Sequence, residues 1–298
     1  LALMLALGLS RDQTVPEGNG ITVRVIQPNA VQHLKWQPDM IPVFFQRQID
    51  LTAEAPLADL VVWPETSIPY LLGQSRLELE AINTASSGAP VVVGARRRSR
   101  EGPMNTLAVV GPAGSPVAKY DKAHLVPFGE YIPLGNFAAR FGIRGLAANE
   151  GGGYVPGPEP KLLDLGRYGT VLPLICYEAI FPNLGRALSQ DADWMVQITN
   201  DAWFGEFAGP QQHLAMAQMR AIERGVPLVR AANTGISAVI DPFGNLIEHL
   251  PLNEHGRIDA RIPGRLQPTL YVTLGETTLI LLLSLFLGTA VLLQRRRN

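Results

Sequence analysis

Eight stretches of this sequence share one form, an apolar centre rich in Val and Ile bounded by Gly, Pro, Asn or Asp. They are "ITVRVIQPN", "ADLVVWPET", "APVVVGARR", "NTLAVVGP", "GTVLPLICYE", "ADWMVQITND", "VPLVRAAN" and "ISAVIDPFG". That punctuation marks strands. Between several of them, "IPVFFQRQIDLTAEA" and "QQHLAMAQMRAIERG" carry apolar residues at helical spacing, the second closing on Gly225 as a C-cap. Strands alternating with helices predict an α/β domain whose sheet faces are covered. Pro173 breaks a local rule. It lies inside an expected strand although it has no ladder donor, so an edge or a bulge is expected there. There is no internal repeat and no low-complexity stretch.

Apolar residues make up 47% of the chain and charged residues 17%, and the excess sits at the ends. "TTLILLLSLFLGTAVLL", residues 277–293, carries no charge. As a helix it would reach ~26 Å at 1.5 Å per residue, and residues 270–274 would bring it to bilayer thickness. We expect a transmembrane helix over 270–294, with a buried core helix as the alternative. The basic tail, 295–298, would then be cytoplasmic and the preceding domain on the outer face. Residues 1–10, "LALMLALGLS", begin without Met and read as the end of a truncated transmembrane helix, or else as a frayed apolar terminus. Residues 11–20 read as a linker and 21–268 as the main domain. The segment Asn136–Pro160, rich in Gly and Pro, reads as a long loop exposing Phe137, Phe141, Ile143 and Leu146.

The formal net charge of -1 gives no footprint for nucleic acid. A single cysteine, Cys176, excludes an internal disulfide and any multi-cysteine metal site. The five histidines show no helical metal-ligand spacing. Three ionisable residues stand at or just beyond apolar runs, where α/β folds build sites. Glu65 ends "LVVWPE", Lys122 lies in "KYDKAHLVPFGE" ahead of Glu130, and Cys176 ends "LPLIC" ahead of Tyr177 and Glu178. A thiol attacks only as thiolate. A carboxylate can serve as its general base, a lysine can stabilise an oxyanion, and the N–H of Tyr177 is a natural second donor. Each residue also has a bland reading: an inert buried thiol, a carboxylate at a helix dipole, a solvated surface lysine. "RRRSR", residues 96–100, reads as a basic hairpin-like turn near anionic headgroups or in solvent. Asn200 and Asp201 read as caps of the following turn, and His213 and Arg220 as hydrogen-bonding supports of one helix.

"VWPET", "YDKAHLVPFGEYIP" and "LICYEAIFP" resemble the glutamate, lysine and cysteine motifs of the nitrilase, or carbon–nitrogen hydrolase, superfamily. "VRVIQPNAVQHLKW", "QITNDAWFGEFAGPQQHLAMAQMRAIERGVPLVRAANTGISAVID" and the flanking apolar segments are similar to the apolipoprotein N-acyltransferase family within it. The resemblance runs from about Ile21 to Gly256. It implies an αββα four-layer sandwich and a catalytic triad of Glu65, Lys122 and Cys176. Glu130 would hold Lys122 or share in proton handling, and Tyr177 and Glu178 would flank the nucleophile. Trp36, Trp203 and Phe204 match aromatic positions that line or gate an acyl site. The resemblance also implies an N-terminal bundle of membrane helices that precedes this domain.

The implied reaction is a ping-pong acyl transfer through a Cys176 thioester. The donor is a phospholipid and the acceptor is the N-terminal amine of a diacylglyceryl-cysteine lipoprotein. The partners are those two substrates and the lipid bilayer, with no nucleic acid, no cofactor and no metal. The place is the bacterial inner membrane, with the catalytic domain on the periplasmic face. Two alternatives share the residues: a membrane-anchored amidase that passes the acyl group to water, and an anchored binding protein with a decayed site.

Overall fold

The computed structural model describes residues 14–132 and 153–297, which form two six-stranded sheets packed face to face. The expectations for residues 1–10 and for Phe137, Phe141, Ile143 and Leu146 lie outside the described residues. In the first sheet the strands are β1 (Thr22–Gln27), β2 (Leu60–Val62), β3 (Val91–Arg98), β4 (Pro103–Val110), β5 (Pro116–Asp121) and β12 (Gly256–Arg261), in the order β12-β1-β2-β3-β4-β5. The second holds β6 (Leu163–Asp164), β7 (Thr170–Ile175), β8 (Trp194–Thr199), β9 (Leu228–Ala232), β10 (Ser237–Ile240) and β11 (Leu246–Leu250), in the order β11-β10-β9-β8-β7-β6. Each sheet has three adjacent parallel strands, β1-β2-β3 and β7-β8-β9, flanked by antiparallel ones.

The layering follows from the two-residue period of a strand. Val23, Val25, Leu60, Val62 and Val92 point inward and meet Val171, Ile175, Trp194, Val196 and Ile198 of the facing sheet. Their neighbours Ile26, Val61, Trp63, Val91 and Val93 point outward, onto α1 (Ile41–Ala53) and α2 (Arg76–Ala85). Beyond the second sheet, Leu172, Leu174 and Met195 pack under Leu214, Ala217 and Ala221 of α3 (Gly209–Arg224). The result is helix, sheet, sheet, helix, as expected. All eight apolar runs contain a strand. Gly225 ends α3 in the left-handed conformation at φ +65°, donating its N–H to the Ala221 carbonyl.

Pro173 keeps its place in β7 for a local reason. On one side it lies opposite Val196 of β8, but β6 reaches only Thr170 and Val171. Beyond them β7 is an edge, so no ladder bond is missed there.

The C-terminal helix departs from expectation. Residues 270–294 are not one rod. A short α4 (Leu270–Leu274), capped by Thr269, stops at Gly275 (φ +57°), and α5 (Thr277–Arg297) starts afresh. Val272 is 1% exposed, so α4 docks on the domain instead of lengthening α5. Arg186 holds its end by donating to the carbonyls of Tyr271 and Val272. Among the described residues, no helix is long and apolar enough to cross a membrane.

Candidate active site

Glu65 and Lys122 follow β2 and β5, whose directions agree because β4 and β5 each reverse the chain. The two residues therefore leave the first sheet at the same end. Cys176 follows β7 in the second sheet. Gly94 of β3 makes room for Glu65: a Cβ there would lie 2.5 Å from the Glu65 Cα and 2.4 Å from the Thr66 N. Lys122 Nζ is 2.8 Å from one oxygen of Glu130 and 3.9 Å from Glu65. All three side chains and Cys176 are buried. Cys176 has φ +51°, a left-handed conformation that a non-glycine residue adopts at a cost of about 1–2 kcal/mol. Such strain concentrates at functional turns.

Burial and the nearby Glu65 charge push the Cys176 thiol up to about 12, with Lys122 opposing. At neutral pH the resting thiol is therefore protonated and needs a base. Burial raises the carboxyl of Glu65 above its ordinary range, against the pull of Lys122, which suits it to take that proton. For Lys122 burial works against the charge, yet Glu65, Cys176 and Glu130 together raise it above an ordinary lysine. It stays an ammonium, able to face an oxyanion but not to act as a base.

Glu178 does more than flank the nucleophile. One oxygen accepts from the Tyr120 hydroxyl (2.7 Å) and from the N–H groups of Ala123 (2.8 Å) and His124 (3.1 Å). The other accepts from the Ile175 N–H at 2.8 Å. The residue just before Cys176 and the two just after Lys122 are thus tied to one carboxylate, which fixes the two sheets' contributions relative to each other. Glu178→Ala strands four donors, two of them buried and two part-buried. It is expected to lower stability by about 4 kcal/mol, at 1 kcal/mol or more for each lost partner, read as a shift of the urea midpoint at unchanged slope. Tyr177 points its ring into an aromatic group with Phe181 (4.9 Å between centroids) and His124 (6.0 Å).

Several site residues escaped sequence reasoning. Asn105 of β4 donates to Glu65 (2.6 Å) and to Glu130 (3.1 Å), bridging the two carboxylates. The N–H of Asn200 donates to Glu65 at 2.9 Å. Asn200 does not cap the turn that follows; its side chain bonds Gln32 and Asn233. Asp201 turns inward, to His213 and Arg230. Lys35, buried and lowered to about 8 by that burial, donates to the carbonyl of Glu65 at 3.3 Å. Its only signal was the polar residue beside Trp36 in "LKW".

Trp36, Trp203 and Phe204 are 40%, 55% and 42% exposed, so they stay free to meet a ligand instead of filling a core. Trp36 stands under the guanidinium of Arg96 at 5.0 Å, and Phe204 packs edge-on against His213 at 5.3 Å. "RRRSR" is not a free basic turn. Arg96, Arg97 and Arg98 belong to β3, and Arg97 makes two 2.6 Å bonds to Asp121. His213 supports the fold through hydrogen bonds as expected, while Arg220 pairs with Glu223 on its own helix. Among the described residues no group of three His, Cys, Asp or Glu side chains is placed to hold a metal ion.

A base, an ammonium and a thiol on one buried wall suit acyl transfer through cysteine. Two solved structures share the fold of two sheets covered by helices. A variant of the amidase from Nesterenkonia sp. AN1, with the acetamide moiety of fluoroacetamide added covalently at its active-site cysteine, superposes with a TM-score of 0.57 at 20% identity, over 85% of this chain and 94% of its own. A carbon–nitrogen hydrolase superfamily protein from Xanthomonas campestris, with an arsenic adduct in its active site, gives 0.57 at 18% identity, over 89% of this chain and 97% of its own. In sequence the chain is 36% identical to an apolipoprotein N-acyltransferase of Brucella melitensis across its whole length, which is 60% of that relative. It is 41% identical to the one of Sinorhizobium fredii over 84% of this chain and 49% of the relative. The chain thus spans between about half and 60% of the length of these relatives. The carbon-nitrogen hydrolase family model matches residues 22–271, and the chain belongs to that family.

Proposed function

We propose that the chain carries the chemistry of an N-acyltransferase that moves a fatty acyl group from a phospholipid to the N-terminal amine of a diacylglyceryl-cysteine lipoprotein. The observation that carries the reading is the strained, buried Cys176 beside an ammonium held between two carboxylates. The identity to acyltransferase relatives supports the substrate class. Glu65 takes the Sγ proton as the thiolate attacks the ester carbonyl of the donor. Lys122 and the N–H of Tyr177 face the oxyanion. Collapse forms the thioester and expels the lysophospholipid alkoxide, which takes the proton from Glu65. The acceptor amine then attacks the thioester, gives a proton to Glu65 and releases the thiolate of Cys176, which that proton neutralises. Glu130 and Asn105 hold Lys122 and Glu65 in register throughout. The exposed rings of Trp36, Trp203 and Phe204 receive the acyl chain.

The donor is drawn from a bilayer, which the C-terminal segment meets. Leu279, Ile280, Leu281, Leu283, Leu285, Phe286 and Leu287 of α5 are each at least 58% exposed. At about 2 kcal/mol for each such side chain withdrawn from water, leaving them wet costs over 10 kcal/mol. We infer that α5 inserts these side chains into the bilayer and holds the catalytic domain at its surface.

The test is to incubate the chain in vesicles of phosphatidylethanolamine and to map acyl adducts by mass spectrometry. A thioester on Cys176 that discharges when a diacylglyceryl-cysteine peptide is added is the expected result. An adduct elsewhere, none while donor is consumed, or discharge to water as fast as to the amine would sink the reading.

A further inference from the structure

The left-handed turn at Cys176 is gripped from one side. Its carbonyl oxygen lies 3.1 Å from Nε2 of His213 on α3 and 3.3 Å from Nε2 of Gln197 on β8. Both side chains are buried and braced behind. Nδ1 of His213 meets Asp201 at 2.8 Å, and Arg230 donates to Asp201 at 2.5 Å and to the side-chain oxygen of Gln197 at 2.6 Å. Asp201, His213, the Cys176 carbonyl, Gln197 and Arg230 therefore close a ring. Burial would raise the carboxyl of Asp201, but Arg230 and His213 more than offset that and hold it at about 2, so Asp201 stays ionised at neutral pH.

A trans peptide is planar, and its C=O and N–H point in opposite directions. Fixing the oxygen of Cys176 therefore fixes the N–H of Tyr177, which must face away from α3 and β8. We propose that His213 and Gln197 are positioning residues for the oxyanion hole: by holding the Cys176 carbonyl they aim the Tyr177 N–H at the developing oxyanion. This rests on the acyl-transfer reading above, because only acylation has an oxyanion to stabilise.

Two reactions of the same thiol separate the roles. Alkylation of Cys176 by iodoacetamide needs a thiolate but forms no oxyanion, whereas acylation by p-nitrophenyl butyrate forms one. His213→Asn keeps a polar group where Nδ1 meets Asp201 but has nothing to reach the Cys176 carbonyl. His213→Gln places an amide N–H where Nε2 stood and gives up the bond to Asp201. In the full chain, His213→Asn is expected to slow the acylation burst by about 10- to 100-fold, less than loss of a direct oxyanion donor. Alkylation should stay within about twofold, since Glu65 and Lys122, the charges that act most on the thiol, are untouched. His213→Gln should recover most of the acylation rate. Equal losses in both reactions, unchanged acylation in His213→Asn, or no recovery in His213→Gln would overturn the proposal. If the parent chain alkylates but never acylates, the acyl-transfer reading falls first and the positioning role with it.

Discussion

Cys176→Ala is expected to lower acyl transfer by about 10⁴-fold or more, since what remains after loss of a nucleophile is binding and the oxyanion donors alone. The fold should survive. The side chain is small, and alanine accepts the same left-handed backbone at a similar cost, so stability should change by no more than about 1 kcal/mol. Cys176→Ser should be nearly as inactive, because the buried hydroxyl is a far weaker acid than a thiol already pushed up to about 12. Single-turnover release of lysophospholipid from vesicles measures the first half-reaction directly. Turnover by Cys176→Ala within tenfold of the parent would remove Cys176 from the mechanism.

Lys122→Met should do two kinds of damage. The first is loss of oxyanion stabilisation, about 10²- to 10³-fold in the acylation rate. The second is structural, and larger than a surface charge would give. Lys122 is 1% exposed and stands between Glu65 and Glu130, so its loss leaves two buried carboxylates facing each other. Breaking a buried ion pair from one side costs about 3–5 kcal/mol. The pH dependence follows from the sign of the shift. Without the ammonium, the carboxyl of Glu65, which burial already raises against the pull of Lys122, binds its proton still more tightly folded than unfolded. The variant's stability is then fully present below the ordinary carboxylate range, about pH 4, and is lost as the pH rises through the raised folded-state value of Glu65. Urea denaturation at several pH values measures this, with Lys122→Met/Glu130→Gln as the control. The double variant should regain much of the stability at neutral pH and none of the activity. A flat pH profile in the single variant would mean that the carboxylates are not coupled through Lys122.

The strands that escaped sequence reading have one thing in common. β5, β6, β11 and β12 are the four sheet edges. An inner strand is apolar on both faces and announces itself as a continuous run, such as "VVV" in β3. An edge strand, half covered, mixes its residues, as "PVAKYD" and "GRIDAR" do. α2, with only Leu79, Ile82 and Ala85 buried, was too short for its spacing to stand out. The break at Gly275 was hidden for another reason. Hydropathy rises across residues 270–294 whether or not the backbone turns, and what stops α4 is a left-handed glycine and the grip of Arg186 on the carbonyls just before it.

The candidate site divides the same way. Glu65, Lys122 and Cys176 were legible because each interrupts or follows an apolar run at a strand end. Asn105, Gln197 and Arg230 sit inside strands, where a lone polar residue has no local signature. They matter only because register sets them beside a partner: Arg230 lies across from Gln197 in the β8–β9 pair, and the Lys122 N–H meets the Asn105 carbonyl at 2.9 Å.

Chain order and residue type alone determined the α/β class, the inner strands and three candidate site residues at strand ends, because strand period and turn punctuation are local properties. Only the tertiary structure decided that these residues share one buried wall. Glu65 and Lys122 come from one sheet and Cys176 from the other, so their spacing is set by how two apolar faces pack. Their protonation is set by the water which that packing excludes.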